Sequence, residues 1–160
     1  MNKKLLLFGL LGVVIMAAIW GGGLFVSRGT HVELKGHIQK VRIQSVEENT
    51  TAVIVDFQYT NPADYAFVVR DVTVEITTAD GQVVTGRTVA DIDAERFLAA
   101  YPELGGKFNK SLVTREKILP KQSDDRMIAA SFELPVATVE KRKGIRVRIE
   151  DVDRPVSVIQ

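Results

Sequence analysis

The sequence predicts an all-β domain: an antiparallel sandwich of the immunoglobulin or fibronectin type with one short inserted helix, placed behind a single N-terminal membrane helix. Three observations lead there. From residue 37 onward, seven or eight short runs alternate apolar and polar side chains, with turn residues every 8–15 positions. One stretch, 91–109, breaks that alternation with helical spacing. Leu5–Val26 is a run of 22 residues without a charge.

That run would span about 33 Å as a helix, enough for a bilayer core of about 30 Å. It is longer than the apolar core of a cleaved signal peptide, although Gly21-Gly22-Gly23 supplies small residues for a cleavage site. A signal anchor is the preferred reading and cleavage the alternative. Lys3 and Lys4 precede the run and Arg28 follows it, so the positive-inside rule puts the N-terminus in the cytoplasm and the body outside. In a Gram-negative cell that outside is the periplasm. Trp20 and Phe25 then sit near the outer interface, and Ala17-xxx-Gly21 and Ala18-xxx-Gly22 offer small-residue faces for a second helix. The expected organisation is 1–27 anchor, 28–36 connector and 37–160 sandwich.

The first strand lies in "HIQKVRIQSV", 37–46, with Ile38, Val41, Ile43 and Val46 apolar and a bulge expected near Gln39-Lys40. "TAVIVDFQYT", 51–60, alternates cleanly. Val53, Val55, Phe57 and Tyr59 face one way and Ala52, Ile54, Asp56 and Gln58 the other, the pattern of a half-buried strand. Asn61-Pro62-Ala63-Asp64 ends it, because proline gives no N–H to a ladder and asparagine closes a turn on its own backbone. Asn61 and Pro62 are read as turn punctuation. The next strand starts at Phe67 and places Val68, Val72, Val74 and Ile76 in phase. Asp80-Gly81 marks a hairpin into "VVTGRTVA", 83–90.

Asp91, Asp93 and Glu95 then gather where a helix N-terminus favours acid, Phe97, Leu98 and Tyr101 share a face, and Pro102 stops the helix expected at 93–101. After a Gly105-Gly106 loop, strands are expected at 110–119, 126–134 and 145–152, with a helical turn before Gly144 and a last short strand after Pro155.

Charge and composition exclude several functions. The chain has 21 Lys+Arg and 20 Asp+Glu; residues 1–27 hold two lysines and no acid, leaving 19 against 20 for the body. That balance is no footprint for nucleic acid. No cysteine is present, so disulfides, thiol catalysis and thiolate metal sites are ruled out. His31 and His37 lie in or beside the connector without a G-x-S-x-G context. "DIDAE", 91–95, lacks the Gly at position 6 and the Glu at position 12 of a calcium loop, since Arg96 and Pro102 stand there. No cofactor, metal or catalytic residue is expected, and the chain is read as no enzyme. Asn49-Thr50-Thr51 and Asn109-Lys110-Ser111 match the glycosylation sequon. The candidate partner-binding residues are Phe97, Tyr101 and Phe108, aromatics on an insertion that a rigid sandwich would hold out. The plainer role for Phe97 and Leu98 is to cap the sandwich.

"VIVDFQYTNPADYAFVVRDVTVEI" and "LPKQSDDRMIAASFELP" resemble the LEA type 2 domain, the LEA14-like water-stress and hypersensitive-response group, in an alternating strand ending in Asn-Pro and a later proline-turn-strand. The resemblance implies a β-sandwich, no catalytic residues, and a role in stress tolerance or cell-envelope protection. Function then has three expected forms. One is a non-catalytic membrane-held binding or structural module that meets an envelope protein. Another is an accessory subunit engaged through its membrane helix, and the third is a stress-protective protein.

Overall fold

Ten strands, laid out in two five-stranded sheets, make up most of the body in a computed structural model that describes Met16, residues 33–152 and residues 156–160. The chain divides into two units, Met1–His31 and Val32–Gln160, and both sheets belong to the second. The expected membrane span lies, apart from Met16, outside the described residues, as does His31. Among the described residues no helix is long and apolar enough to cross a membrane.

The first sheet runs β1 (Lys35–Glu47), β2 (Thr50–Thr60), β8 (Ser123–Phe132), β5 (Arg87–Val89), with β6 (Lys110–Ser111) also on β8. The second runs β10 (Val156–Ile159), β9 (Gly144–Asp151), β3 (Phe67–Thr77), β4 (Val83–Thr85), with β7 (Lys117–Ile118) also on β3. Every pairing is antiparallel except that of β6 with β8. The bulge expected in the first strand is present, between Ile38 and Lys40. A second one, between Val69 and Asp71, resets the phase of β3. Phe67 and Val69 therefore point inward with Val72, Val74 and Ile76, and Val68 does not.

The main core fills the space between the sheets. Val53, Val55, Phe57 and Tyr59 of β2 meet Phe67, Val69, Val72, Val74 and Ile76 of β3, with Phe132, Val147 and Ile149 beside them. A helical turn, α2 (Val136–Glu140), adds Val139 to that core.

Two expected strands are each split between the sheets. "VVTGRTVA" leaves the second sheet after Thr85 and joins the first at Arg87. The crossing is made at Gly86, where a Cβ would lie 2.6 Å from Phe132 Cζ and 3.0 Å from Ala130 Cβ. Only glycine fits so close a passage. Likewise "KSLVTREKIL" pairs with β8 through Lys110–Ser111 and with β3 through Lys117–Ile118, and crosses between. An unbroken alternation cannot reveal such a switch, because the inward face stays inward on both sheets.

Asn61 is more than a stop. It is 1% exposed. Its Nδ2 donates to the carbonyls of Tyr65 (2.9 Å) and Leu119 (3.1 Å), and its Oδ1 accepts from the Ala63 amide (3.0 Å). Its own amide donates to Gln122 O at 2.8 Å. One side chain thus ties the turn after β2 to the turn before β8, satisfying backbone groups that burial would otherwise leave unpaired.

Candidate functional site

The insertion between β5 and β6 lies against the outer face of the first sheet. Helix α1 (Asp91–Ala100) follows an extended Ala90 and stops at Tyr101, and a single 3-10 turn, Pro102–Leu104, comes next. Asp91 and Asp93 occupy the first helical turn but no side chain caps it, so their contribution is to the helix dipole. Ala94, Leu98 and Leu104 pack on Ile54, Met127 and Ala129, forming a second apolar cluster, with Val89, Phe97 and Tyr101 at its margin. This corrects the reading of β2 as half-buried. Ile54 and Asp56 are 1% and 4% exposed, because the insertion covers the face that alternation assigns to solvent.

A buried ion pair pins the far side of the insertion. Arg42 and Asp56 stand diagonally across the β1–β2 ladder, with Nη2 2.9 Å from Oδ2 and side chains 3% and 5% exposed. Arg42 Nη1 donates to the carbonyls of Leu104 (3.2 Å) and Gly106 (2.9 Å), and Asn109 Nδ2 donates to Asp56 Oδ1 (3.2 Å). A desolvated guanidinium is stabilised only where its hydrogen bonds are made, so these residues fix the loop 104–109 in one place. The sequon side chain at Asn109 is occupied by this contact. At the other end Lys107 reaches Asp91 (2.7 Å) and Glu95 (3.9 Å). The Lys107 ammonium, and after it Ser111, hold the Asp91 carboxyl below the ordinary carboxylate range.

The three expected aromatics part company here. Phe97 and Tyr101 stack at 4.6 Å between centroids and are partly buried at the edge of the second cluster. Phe108 is 69% exposed, with its ring centre 5.6 Å from the Arg42 guanidinium carbon and 6.0 Å from Lys40 Nζ. Ile92, on the same insertion, is 59% exposed. Phe97 and Tyr101 thus pack against the second cluster, and Phe108 and Ile92 face outward.

At the base of the insertion a cleft of about 250 Å3 opens where β5 and β6 leave part of β8 uncovered. Asp71, Thr88, Asp91 and Ser111 line its rim, and Leu112, Ile128 and Ala129 its apolar floor. Asp91 is already engaged by Lys107, and Thr88 Oγ1 donates to Val72 O at 2.8 Å. Among the described residues, no three His, Asp or Glu side chains gather as metal ligands, and His37 is exposed on β1. The insertion exposes two large apolar side chains, Ile92 and Phe108, among charged ones.

Sequence reasoning missed Arg42, Asp56 and Ile54. The available signal was Ile54 on the strand face that otherwise reads polar, opposite Ala129 and diagonal to Met127 on the equivalent face of β8. No family model, no curated protein and no solved structure matches the chain.

Proposed function

We propose that this protein is a non-catalytic binding module of the cell envelope: a β-sandwich of the immunoglobulin or fibronectin type, held at the membrane by Leu5–Val26 with its body outside the cytoplasm. The insertion 90–109 is its partner-binding surface. The strand orders β1-β2-β8-β5 and β10-β9-β3-β4 support the fold type, since they follow the A-B-E-D and G-F-C plan of immunoglobulin sandwiches. The LEA type 2 resemblance rests on residues 53–76 and 119–135 and suits the same plan.

One observation carries the functional reading. The insertion has its own apolar cluster and its own buried ion pair, yet it leaves Phe108 and Ile92 in solvent. A segment merely closing the sheet would turn its largest apolar groups inward. Rigid exposed aromatics are what partner surfaces use as anchors.

The test is site-specific photo-cross-linking from position 108 in native membranes. The binding module predicts a discrete adduct that Ile92→Ser abolishes while Ile92→Ser leaves the thermal melt unchanged. Phe97→Ser and Tyr101→Ser are unsuitable probes, because both rings support the second cluster. An adduct formed only from the Ala17–Gly22 face would favour the accessory-subunit reading. No adduct from either region would favour a protective protein without a fixed partner.

A further inference from the structure

The sandwich has two ends, and the chain enters at one of them. Lys35 pairs with Thr60, the Leu34 amide donates to Ser157 Oγ at 2.7 Å, and the Val152 amide donates to Val68 O at 3.0 Å, so residues 33–35, 60–68, 117–123, 151–152 and 156–157 share that end. It exposes Leu119 (54%) and Val152 (55%).

Leu119 does not sit on a loose loop. Lys121, two residues on, holds a left-handed φ of 58°, the Leu119 amide donates to Gln122 Oε1 at 2.8 Å, and Asn61 Nδ2 holds the Leu119 carbonyl at 3.1 Å. A left-handed lysine costs free energy that only the surrounding bonds offset. The chain thus holds Leu119 by both its amide and its carbonyl while its side chain stays in solvent.

We infer that this end of the sandwich rests on the lipid surface, with Leu119 and Val152 at the headgroup level. The inference depends on the membrane-anchor reading and adds an orientation to it. Six residues, 27–32, separate the apolar run from Glu33, a tether of at most about 20–25 Å when fully extended. The strands of β2 and β3, 11 residues each, are about 37 Å long. The entry end is therefore kept next to the bilayer while the end bearing Asp80-Gly81 stands away from it. The entry end carries no excess of basic groups, with Lys35, Lys117 and Lys121 against Glu33, Asp64, Asp124 and Asp125. Contact therefore requires no anionic lipid.

The chain has no cysteine, so single-cysteine labelling is direct. Full-length protein carrying an environment-sensitive dye at Asp64→Cys, Ala79→Cys or Ile92→Cys is reconstituted into phosphatidylcholine vesicles containing headgroup nitroxide lipid. Carbonate extraction is run on the same samples. The expected result is several-fold stronger quenching at 64 than at 79 or 92, unchanged by high salt, and reduced to the level of 79 by Leu119→Asp. Equal quenching at 64 and 79 in carbonate-resistant protein overturns the docking and leaves the anchor standing. Quenching strongest at 92 overturns it too, with the insertion as the lipid-facing side. Release of the protein by carbonate overturns the anchor, and the docking falls with it.

Discussion

Removing the Asp56 carboxylate tests whether the insertion is fixed by the buried ion pair. In Asp56→Ala, the Arg42 guanidinium stays charged, since it cannot shed its proton, and retains the Leu104 and Gly106 carbonyls as acceptors. Breaking one partner of a buried pair costs roughly 3–5 kcal/mol. The insertion can lift to let water reach Arg42, so that penalty is felt first as local opening. A shift of about 3 kcal/mol corresponds to roughly a hundredfold faster amide exchange. Hydrogen exchange on full-length protein in detergent, read over 90–109, should show that acceleration, with urea unfolding by circular dichroism losing up to the same amount. Arg42→Ala should cost less, because Asn109 still donates to Asp56. The paired replacement Arg42→Met with Asp56→Leu should fall within about 1 kcal/mol of the parent, as apolar substitutes for buried pairs do. A loss below about 1 kcal/mol in Asp56→Ala, with exchange over 90–109 unchanged, would refute the reasoning.

The same geometry sets further outcomes. Gly86→Ala should lose about 1–3 kcal/mol in thermal melts, because its Cβ meets the ring of Phe132, which is buried and has nowhere to move. Asn61→Ala and Asn61→Asp should each lose about 2–4 kcal/mol, since neither side chain can donate to Tyr65 O and Leu119 O; equal stability of Asn61→Asp would show that those bonds are idle. Tyr59 is fully buried, its hydroxyl has no hydrogen-bond partner, and burial pushes its pKa from 10.0 up to about 12. The folded state keeps a proton that the unfolded chain releases, so stability falls as pH rises from about 10 to about 12, by up to about 2 kcal/mol. Tyr59→Phe should remove that decline and be neutral or stabilising at pH 7; a parallel decline in both proteins would sink the assignment.

Much of the sandwich can be read from period-two alternation, and the reasons are local. Val53, Val55, Phe57 and Tyr59 recur every second residue because the pleat alternates, and no long-range information is needed to read them. The bulge near Gln39 was legible for the same reason, as a slip in the count. The sheet switch at Gly86 was not, because its cause is the ring of Phe132, 46 positions away in the sequence. The second cluster was hidden in another manner. Ile54, Met127 and Ala129 each look like a lone exception on a polar face, and only strand pairing sets them side by side beneath Leu98. The candidate site was legible as a segment and not as a surface. Helical spacing marked Phe97 and Tyr101, and Phe108 was marked only by its place on the insertion, whereas the Arg42 guanidinium beside Phe108 is held by Asp56 and the Leu104 carbonyl from separate elements.

Both sheet crossings, at Gly86 and between Ser111 and Lys117, lie along the same flank, where β4 and β5 are the outermost strands. That flank acts as a spine with two covalent stitches. The opposite flank, between β1 and β10, is closed by packing around the buried Ile159 and by the Ile38 amide on Gln160 O and the Leu34 amide on Ser157 Oγ. No covalent crossing joins the two sheets along that seam, so amide exchange at Leu34 and Ile38 reports its opening directly.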